Sequence, residues 1–274
     1  TDEGTQETEQ GENETEENEE TPEAEEGDTR GGELRVATTA QPPTLDPHTT
    51  TAISSSYVTE QFFEGLVTVN SDYEVIPHLA ESVELSDDGK TYTFILRQGV
   101  TFHNGKELTA EDVAASMNRW KDISPSGVPE GIQEGNFNVV DDYTVTLEVE
   151  EASSLILSAL AANRFAGVMP KEVIEAADES GVNEFIGTGP FQFVEWKQDQ
   201  YIHLAKFEEY QPVDSPADGT SGKREALVDD LYFVAVGDAA TQVAGIQTGE
   251  YDVVLDLPNE YYEQVKENPD LNVD

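Results

Sequence analysis

The chain has 274 residues with 58 acids against 14 bases, a formal net charge of −44, and no cysteine. That length supports one large domain or two ordinary ones with real cores. The missing thiols exclude a disulfide framework, a thiolate metal site and a cysteine nucleophile, and the lack of a basic patch argues against nucleic acid as a partner.

Residues 1–32 hold 14 of the acids and one Arg, but the other 242 residues still carry a net charge of −31. The excess therefore belongs to the folded part as well as to the tail. Such self-repulsion costs stability in dilute buffer, and molar salt relieves it by shortening the screening length to about 3 Å. The composition leads us to expect a halophilic source.

Residues 1–32 are almost entirely Glu, Thr, Gln, Asn, Gly and Asp. With so little apolar surface to bury, they are expected to form a disordered acidic tether between a membrane anchor and the domain; a solubilising tail fits the composition equally. Asn13-Glu14-Thr15 is a glycosylation sequon, consistent with an exterior location. No apolar run approaches the ~20 residues of a membrane span, and a mature secreted protein would already have lost its signal peptide.

Order is expected from Glu33, where Leu34 and Val36 alternate with polar neighbours as a first strand. Gln41-Pro42-Pro43-Thr44 breaks it. Ser54, Ser55 and Ser56 offer N-caps for a helix with Val58, Phe62 and Leu66 on one face. Thr91 to Arg97 alternates, with Tyr92, Phe94 and Leu96 on one side. Thr109-Ala110-Glu111-Asp112 reads as a capping box with Asp in place of Glu or Gln, followed by Val113, Met117 and Trp120 at helical spacing. Trp120 and Tyr57 could serve as stacking platforms, although the helix stripe assigns Trp120 to the core.

Tyr143, Val145, Leu147 and Val149 form another alternating strand, and helices are expected over Ser153 to Ala161 and Lys171 to Ala177, with Pro170 at the start of the second. Phe191, Phe193 and Glu195 pair with Ile202, Leu204 and Lys206 in a hairpin turned around Lys197 to Gln200. Leu227 to Val236 and Tyr251 to Leu257 read as apolar strands joined by a helix that Asp238 caps and Gly249 ends. This βαβ pattern calls for a parallel sheet.

Catalytic chemistry is hard to find. His48, His78, His103 and His203 are widely separated, none at the i, i+4 spacing of a helical zinc pair, and read as surface or locally satisfied imidazoles. There is no nucleophile elbow, Walker loop or dinucleotide fingerprint. Gly187-Thr188-Gly189 is followed by Pro190 and a strand where a phosphate loop would start a helix. Carboxylates are so abundant that pairing two as a glycosidase dyad would be arbitrary. A secreted hydrolase and an adhesive surface protein are the weaker readings, the latter because neither repeats nor many sequons occur.

The stretch Leu85 to Val113, LSDDGKTYTFILRQGVTFHNGKELTAEDV, resembles the signature of family 5 extracellular solute-binding proteins, the peptide-, dipeptide- and nickel-binding components of ABC importers. Thr44-Leu45-Asp46-Pro47-His48, Phe63-Glu64-Gly65-Leu66, Gly187-Thr188-Gly189-Pro190-Phe191 and Gln247-Thr248-Gly249-Glu250-Tyr251-Asp252 resemble further family segments in the family's order.

The resemblance implies an α/β periplasmic-binding-protein-like fold of type II. Residues 33–63 and 186–274 would form a discontinuous domain I, residues 64–185 an inserted domain II, and a third domain would be missing beyond a truncation near the hinge. It also implies ligand binding by the main chain of Thr50, Thr51, Ala52 and Ile53, which follow the LDP turn; capping of the next helix by the same loop is the simpler alternative. The expected function is capture of short peptides for a membrane permease, with a nickel or metal chelate as the alternative ligand. The protein would be a monomer on the extracellular face, held by an N-terminal lipid anchor, with no catalytic residue, cofactor or metal.

Overall fold

The computed structural model describes residues 1, 30–125, 127–162 and 166–273. The expectations for residues 2–29, Asn13 included, lie outside these residues, but the end of the expected tail is ordered: the Gly31 N–H donates to Leu227 O at 2.7 Å and the Gly32 N–H to Asp229 Oδ2 at 2.9 Å. β1 (Glu33–Thr38) buries Val36 and Ala37. After the Pro42-Pro43 break, Asp46 caps a 3₁₀ turn (Pro47–Thr49), accepting from the His48 N–H at 3.0 Å. The chain then runs extended into α1 (Ile53–Thr59).

The start of α1 departs from expectation. Its N-cap position is Ala52, and Ser55 and Ser56 are buried within the helix, with the Ser55 hydroxyl donating to Thr44 O at 2.7 Å. The serines sit one turn too late to serve the first free N–H groups. The helix also stops after Thr59, so Val58, Phe62 and Leu66 share no helical face: Val58 and Phe62 join one core and Leu66 another.

β2 (Val67–Val69) and β3 (Val75–Pro77) pair antiparallel, followed by β4 (Ala80–Leu85) and β5 (Thr91–Leu96). Next come α2 (Ala110–Ile123), α3 (Glu130–Glu134), β6 (Asn136–Asp141) and β7 (Thr144–Glu148), giving an antiparallel sheet ordered β4-β5-β7-β6. The alternation of β5 is realised in its register: Tyr92 lies opposite Leu147 and Phe94 opposite Val145, all four buried. Such period-2 apolar faces need a cover, and α2 supplies it by burying Val113, Met117 and Trp120. The Asp112 capping box forms, its carboxylate accepting from the Thr109 N–H at 3.0 Å and the Thr109 hydroxyl at 2.8 Å.

α4 (Leu155–Ala161) and α5 (Lys171–Glu175) lead to β8 (Phe191–Lys197) and β9 (Tyr201–Lys206), then β10 (Asp230–Ala235), α6 (Ala239–Thr248), β11 (Val253–Val254) and α7 (Tyr262–Lys266). The second sheet is ordered β11-β1-β10-β9-β8, with β10 and β11 both parallel to β1. The βαβ unit is therefore present, and its crossover passes the first strand, which sits between the other two. Asp238 accepts from the Thr241 N–H at 2.8 Å to start α6, and Gly249, at φ 75°, ends it in the left-handed conformation a β-carbon would resist. In the hairpin, Phe191 meets Lys206 and Phe193 meets Leu204 as expected, but an irregularity between Phe193 and Glu195 moves Trp196, not Glu195, opposite Ile202. A bulge adds one residue to one strand and is invisible to a pairing count made from alternation.

Buried apolar residues separate into two clusters. One runs from Leu66 to Val168; the other joins Val36, Leu45, Val58, Phe62 and Phe63 to Met169, Val173, Val182 and the apolar residues of β8, β9 and β10. Ile186 packs against both.

Candidate ligand-binding wall

Three parallel strands, β11, β1 and β10, end on the same edge of their sheet. In open α/β sheets the carboxyl edge near a reversal of strand order is where loops diverge and leave a crevice. Here the chain leaves β10, crosses β1 through α6 and returns as β11, so the crevice belongs beside β1. Tyr57, on the helix that follows the LDP turn, donates its hydroxyl to both carboxylate oxygens of Asp256, at 3.0 and 2.9 Å, just beyond β11. This ties α1 to that edge. Asp256 holds φ 59°, an uncommon conformation for a side chain other than Gly and more accessible to Asp than to most residues.

The four residues expected at the ligand lie immediately before and at the start of this helix. Thr50 is extended (φ −137°, ψ 155°) and Ala52 is also in the extended region (φ −68°, ψ 126°). Thr50 is buried, Thr51 exposed, and Ile53 is 44 % exposed despite its apolar side chain. The Ala52 N–H donates to the Thr50 hydroxyl at 3.0 Å, and Ala52 O accepts from the N–H groups of Ser55 and Ser56. The loop therefore does act partly as a helix cap, through Thr50 and the Ala52 carbonyl. Among the described residues no hydrogen bond engages the peptide N–H or C=O of Thr51. An exposed, extended peptide group with spare donor and acceptor can add a peptide strand.

A buried polar cluster anchors this segment from behind. Asp46 is fully buried, and its carboxylate receives Arg119 Nη1 at 3.1 Å, Arg119 Nη2 at 2.6 Å and the Val182 N–H at 3.0 Å, in addition to the His48 N–H. Burial works to raise its pKa, but the guanidinium and the other donors outweigh it and hold the carboxyl below its ordinary value. Burial pushes the neighbouring His48 down to about 4.

A second buried acid stands at the junction of the two cores. Glu64 accepts from Thr188 Oγ1 and Tyr210 Oη, both at 2.8 Å, and lies 2.9 Å from His78 Nε2 and 3.6 Å from Arg224. Burial opposes ionisation there, yet His78, Arg224 and Tyr210 together bring Glu64 down to about 2. A cavity of about 560 Å³ adjoins it, lined by Phe63, Glu64, Thr68, His78, Thr220 and Arg224 among others.

The remaining expectations resolve individually. Trp120 is buried in the core, whereas Tyr57 uses its hydroxyl on Asp256. Each histidine has a local partner, His48 at Gly167 O, His78 at Glu64, His103 at Gly187 and Gly189, and His203 at Asp230, but His78 Nδ1 is buried without one, so that ring is only half satisfied. Among the described residues, no group of three or more His, Asp or Glu side chains is placed to hold a metal. Arg119 and Asp256 escaped the sequence reading. A buried LDP aspartate signals that some cation must meet it, but nothing local says which one.

Solved structures share this arrangement. A dipeptide-binding protein from Pseudoalteromonas sp. SM9913, in complex with Met-Leu, superposes with a TM-score of 0.77 at 25 % identity, over 89 % of this chain and 51 % of that one. The DppA periplasmic binding protein of Helicobacter pylori, in complex with the peptide STSA, gives a TM-score of 0.74 at 26 % identity, over 90 % and 51 %. The fold is thus that of the type II periplasmic binding proteins. Residues 74–274 match the Bacterial extracellular solute-binding proteins, family 5 Middle, and the chain belongs to that family. The glutathione-binding protein GsiB of Salmonella paratyphi A is 29 % identical over 237 residues, 84 % of this chain and 43 % of its own length. The chain therefore spans less than half the length of such curated relatives. The Helicobacter pylori relative is an ABC transporter-associated binding protein, and no helix among the described residues is long and apolar enough to cross a membrane.

Proposed function

We propose that this chain supplies one wall of the peptide-binding cleft of an ABC-importer binding protein, with Thr50, Thr51, Ala52 and Ile53 contacting the ligand backbone. The observation that carries this reading is the extended Thr50–Ala52 segment with the unengaged peptide group of Thr51, tied through Tyr57 to the carboxyl edge of the parallel sheet. Main-chain recognition of this kind is indifferent to ligand side chains, which suits short peptides of varied sequence. The relatives named for glutathione, a tripeptide, and for Met-Leu support the same ligand class.

In the same reading, residues 33–63 and 186–274 form one domain and residues 64–185 an inserted one. The two apolar clusters support this, although the first-domain core reaches back to Met169, Val173 and Val182. The protein acts without catalysis, as a monomer at the outer face of a salt-adapted cell, held by a lipid anchor ahead of the acidic tail. The net charge of −44 accords with concentrated salt.

Hydrogen exchange in the presence of excess Met-Leu or glutathione tests the reading. Slowed exchange confined to residues 49–53 and 57 is expected. One wall alone holds a peptide weakly, so the peptide is added at millimolar concentration; protection that spares residues 49–53 overturns the reading.

A further inference from the structure

We propose that Arg119 is the positioning residue for the ligand wall: from α2, it fixes the direction in which Thr50–Ile53 leaves the LDP turn. This rests on the reading of that segment as the wall.

The argument starts from His48. Its Nε2 lies 2.8 Å from Gly167 O, and a carbonyl can only accept, so the ring proton sits on Nε2. Nδ1 is then an acceptor, and Arg119 Nη1 fills it at 3.0 Å. The same guanidinium spans both oxygens of Asp46. One planar fork thus holds the first and third residues of the sequence Asp46-Pro47-His48 at once.

The fourth residue is held as well, because the Thr49 N–H and hydroxyl both donate to Asp46 O, at 3.2 and 3.1 Å. Thr50 follows immediately, so its exit direction is inherited from a turn with no free rotation. The charged part of the cluster is withdrawn from water, the Arg119 side chain being only 11 % exposed and Asp46 and His48 fully buried, while Thr49 stands exposed at its edge. A lysine at 119 could place one charge but could not engage two carboxylate oxygens and an imidazole together. Arg119 belongs to the helix that covers the Leu66–Val168 core, so the wall takes its position from the other half of the molecule.

The experiment is peptide-resolved hydrogen exchange on the 274-residue chain without ligand, comparing wild type with Arg119→Lys, Arg119→Gln and Gly181→Ala. The last variant crowds the same carboxylate from the opposite side, because a β-carbon at Gly181, whose φ is +105°, would lie 2.7 Å from Asp46 Oδ2.

We expect Arg119→Gln to speed exchange across residues 46–53 by about tenfold or more while β5 and β9 keep their protection; Arg119→Lys should fall between it and wild type. Unchanged exchange over 46–53 in Arg119→Gln, or a rise shared equally by both sheets, overturns the proposal. If Arg119→Gln does not fold, Arg119→Lys and Gly181→Ala decide by the same criterion. Protection by millimolar Met-Leu or glutathione that spares residues 49–53 would sink the ligand reading and leave this exchange pattern intact, so the two failures are distinguishable.

Discussion

His103 holds Gly187 from both sides of its peptide: the His103 N–H donates to Gly187 O at 3.0 Å, and His103 Nδ1 accepts from the Gly187 N–H at 3.2 Å. The other ring nitrogen reaches Gly189 O at 3.0 Å, which places the proton on Nε2. The imidazole therefore clamps the Gly187-Thr188-Gly189 crossing as a neutral group.

That crossing has no room for a side chain. A β-carbon at Gly187 would collide with the Phe62 carbonyl, and one at Gly189 would lie 2.8 Å from Gln61 O. Both obstacles are backbone and cannot rotate away. We expect Gly187→Ala to cost about 3 kcal/mol or more, and Gly189→Ala somewhat less, in denaturant unfolding at high salt. A loss below about 1 kcal/mol for Gly187→Ala would show that the crossing is not close-packed against α1 and its following turn.

Acid should weaken the fold in two stages. Burial pushes His48 and His103 down to about 4, from an ordinary 6.5. Depressed imidazoles bind fewer protons folded than unfolded, so their contribution is complete above 6.5 and is lost as pH falls towards 4, on the order of a few kcal/mol. Glu64, held at about 2, adds a second loss as pH falls from 4.5 through 2. Denaturant midpoints measured between neutral pH and about pH 4 should fall steadily, and a flat profile in wild type would contradict the buried neutral histidines.

The Glu64 network should be strongly coupled. Replacing Glu64 with Leu strands His78 and Arg224 without their carboxylate, and removal of one partner from a buried pair costs about 3–5 kcal/mol. Tyr210→Phe deletes one 2.8 Å bond to the same carboxylate and should cost about 1–2 kcal/mol. In a double-mutant cycle the Tyr210→Phe effect should nearly vanish in the Glu64→Leu background; additive losses would show that the two residues act separately.

Salt dependence should be large. With a net charge of −31 on residues 33–274, dilution from molar salt to a few tens of millimolar should lower the melting temperature and drive unfolding visible by circular dichroism. An unchanged spectrum and melting curve would argue against adaptation to concentrated salt.

Local physics accounts for what the sequence alone determined. Tyr92, Phe94 and Leu96 had to form a half-buried strand because alternation leaves one face apolar. Thr109 and Asp112 had to start a helix because their side chains satisfy its free N–H groups, and Asp238 and Gly249 had to bound another. The ordered family segments also singled out Thr50–Ile53 as the proposed ligand wall. Tertiary structure alone decided the rest: the placement of β1 between β10 and β11, the bulge that puts Trp196 opposite Ile202, and the choice of Arg119 for Asp46 and of Tyr57 for Asp256. The two side-chain pairings join residues 73 and 199 positions apart. Periodicity and capping report a residue's neighbours within a turn or a strand. A buried charge states only that it needs a partner, and packing chooses which distant side chain arrives.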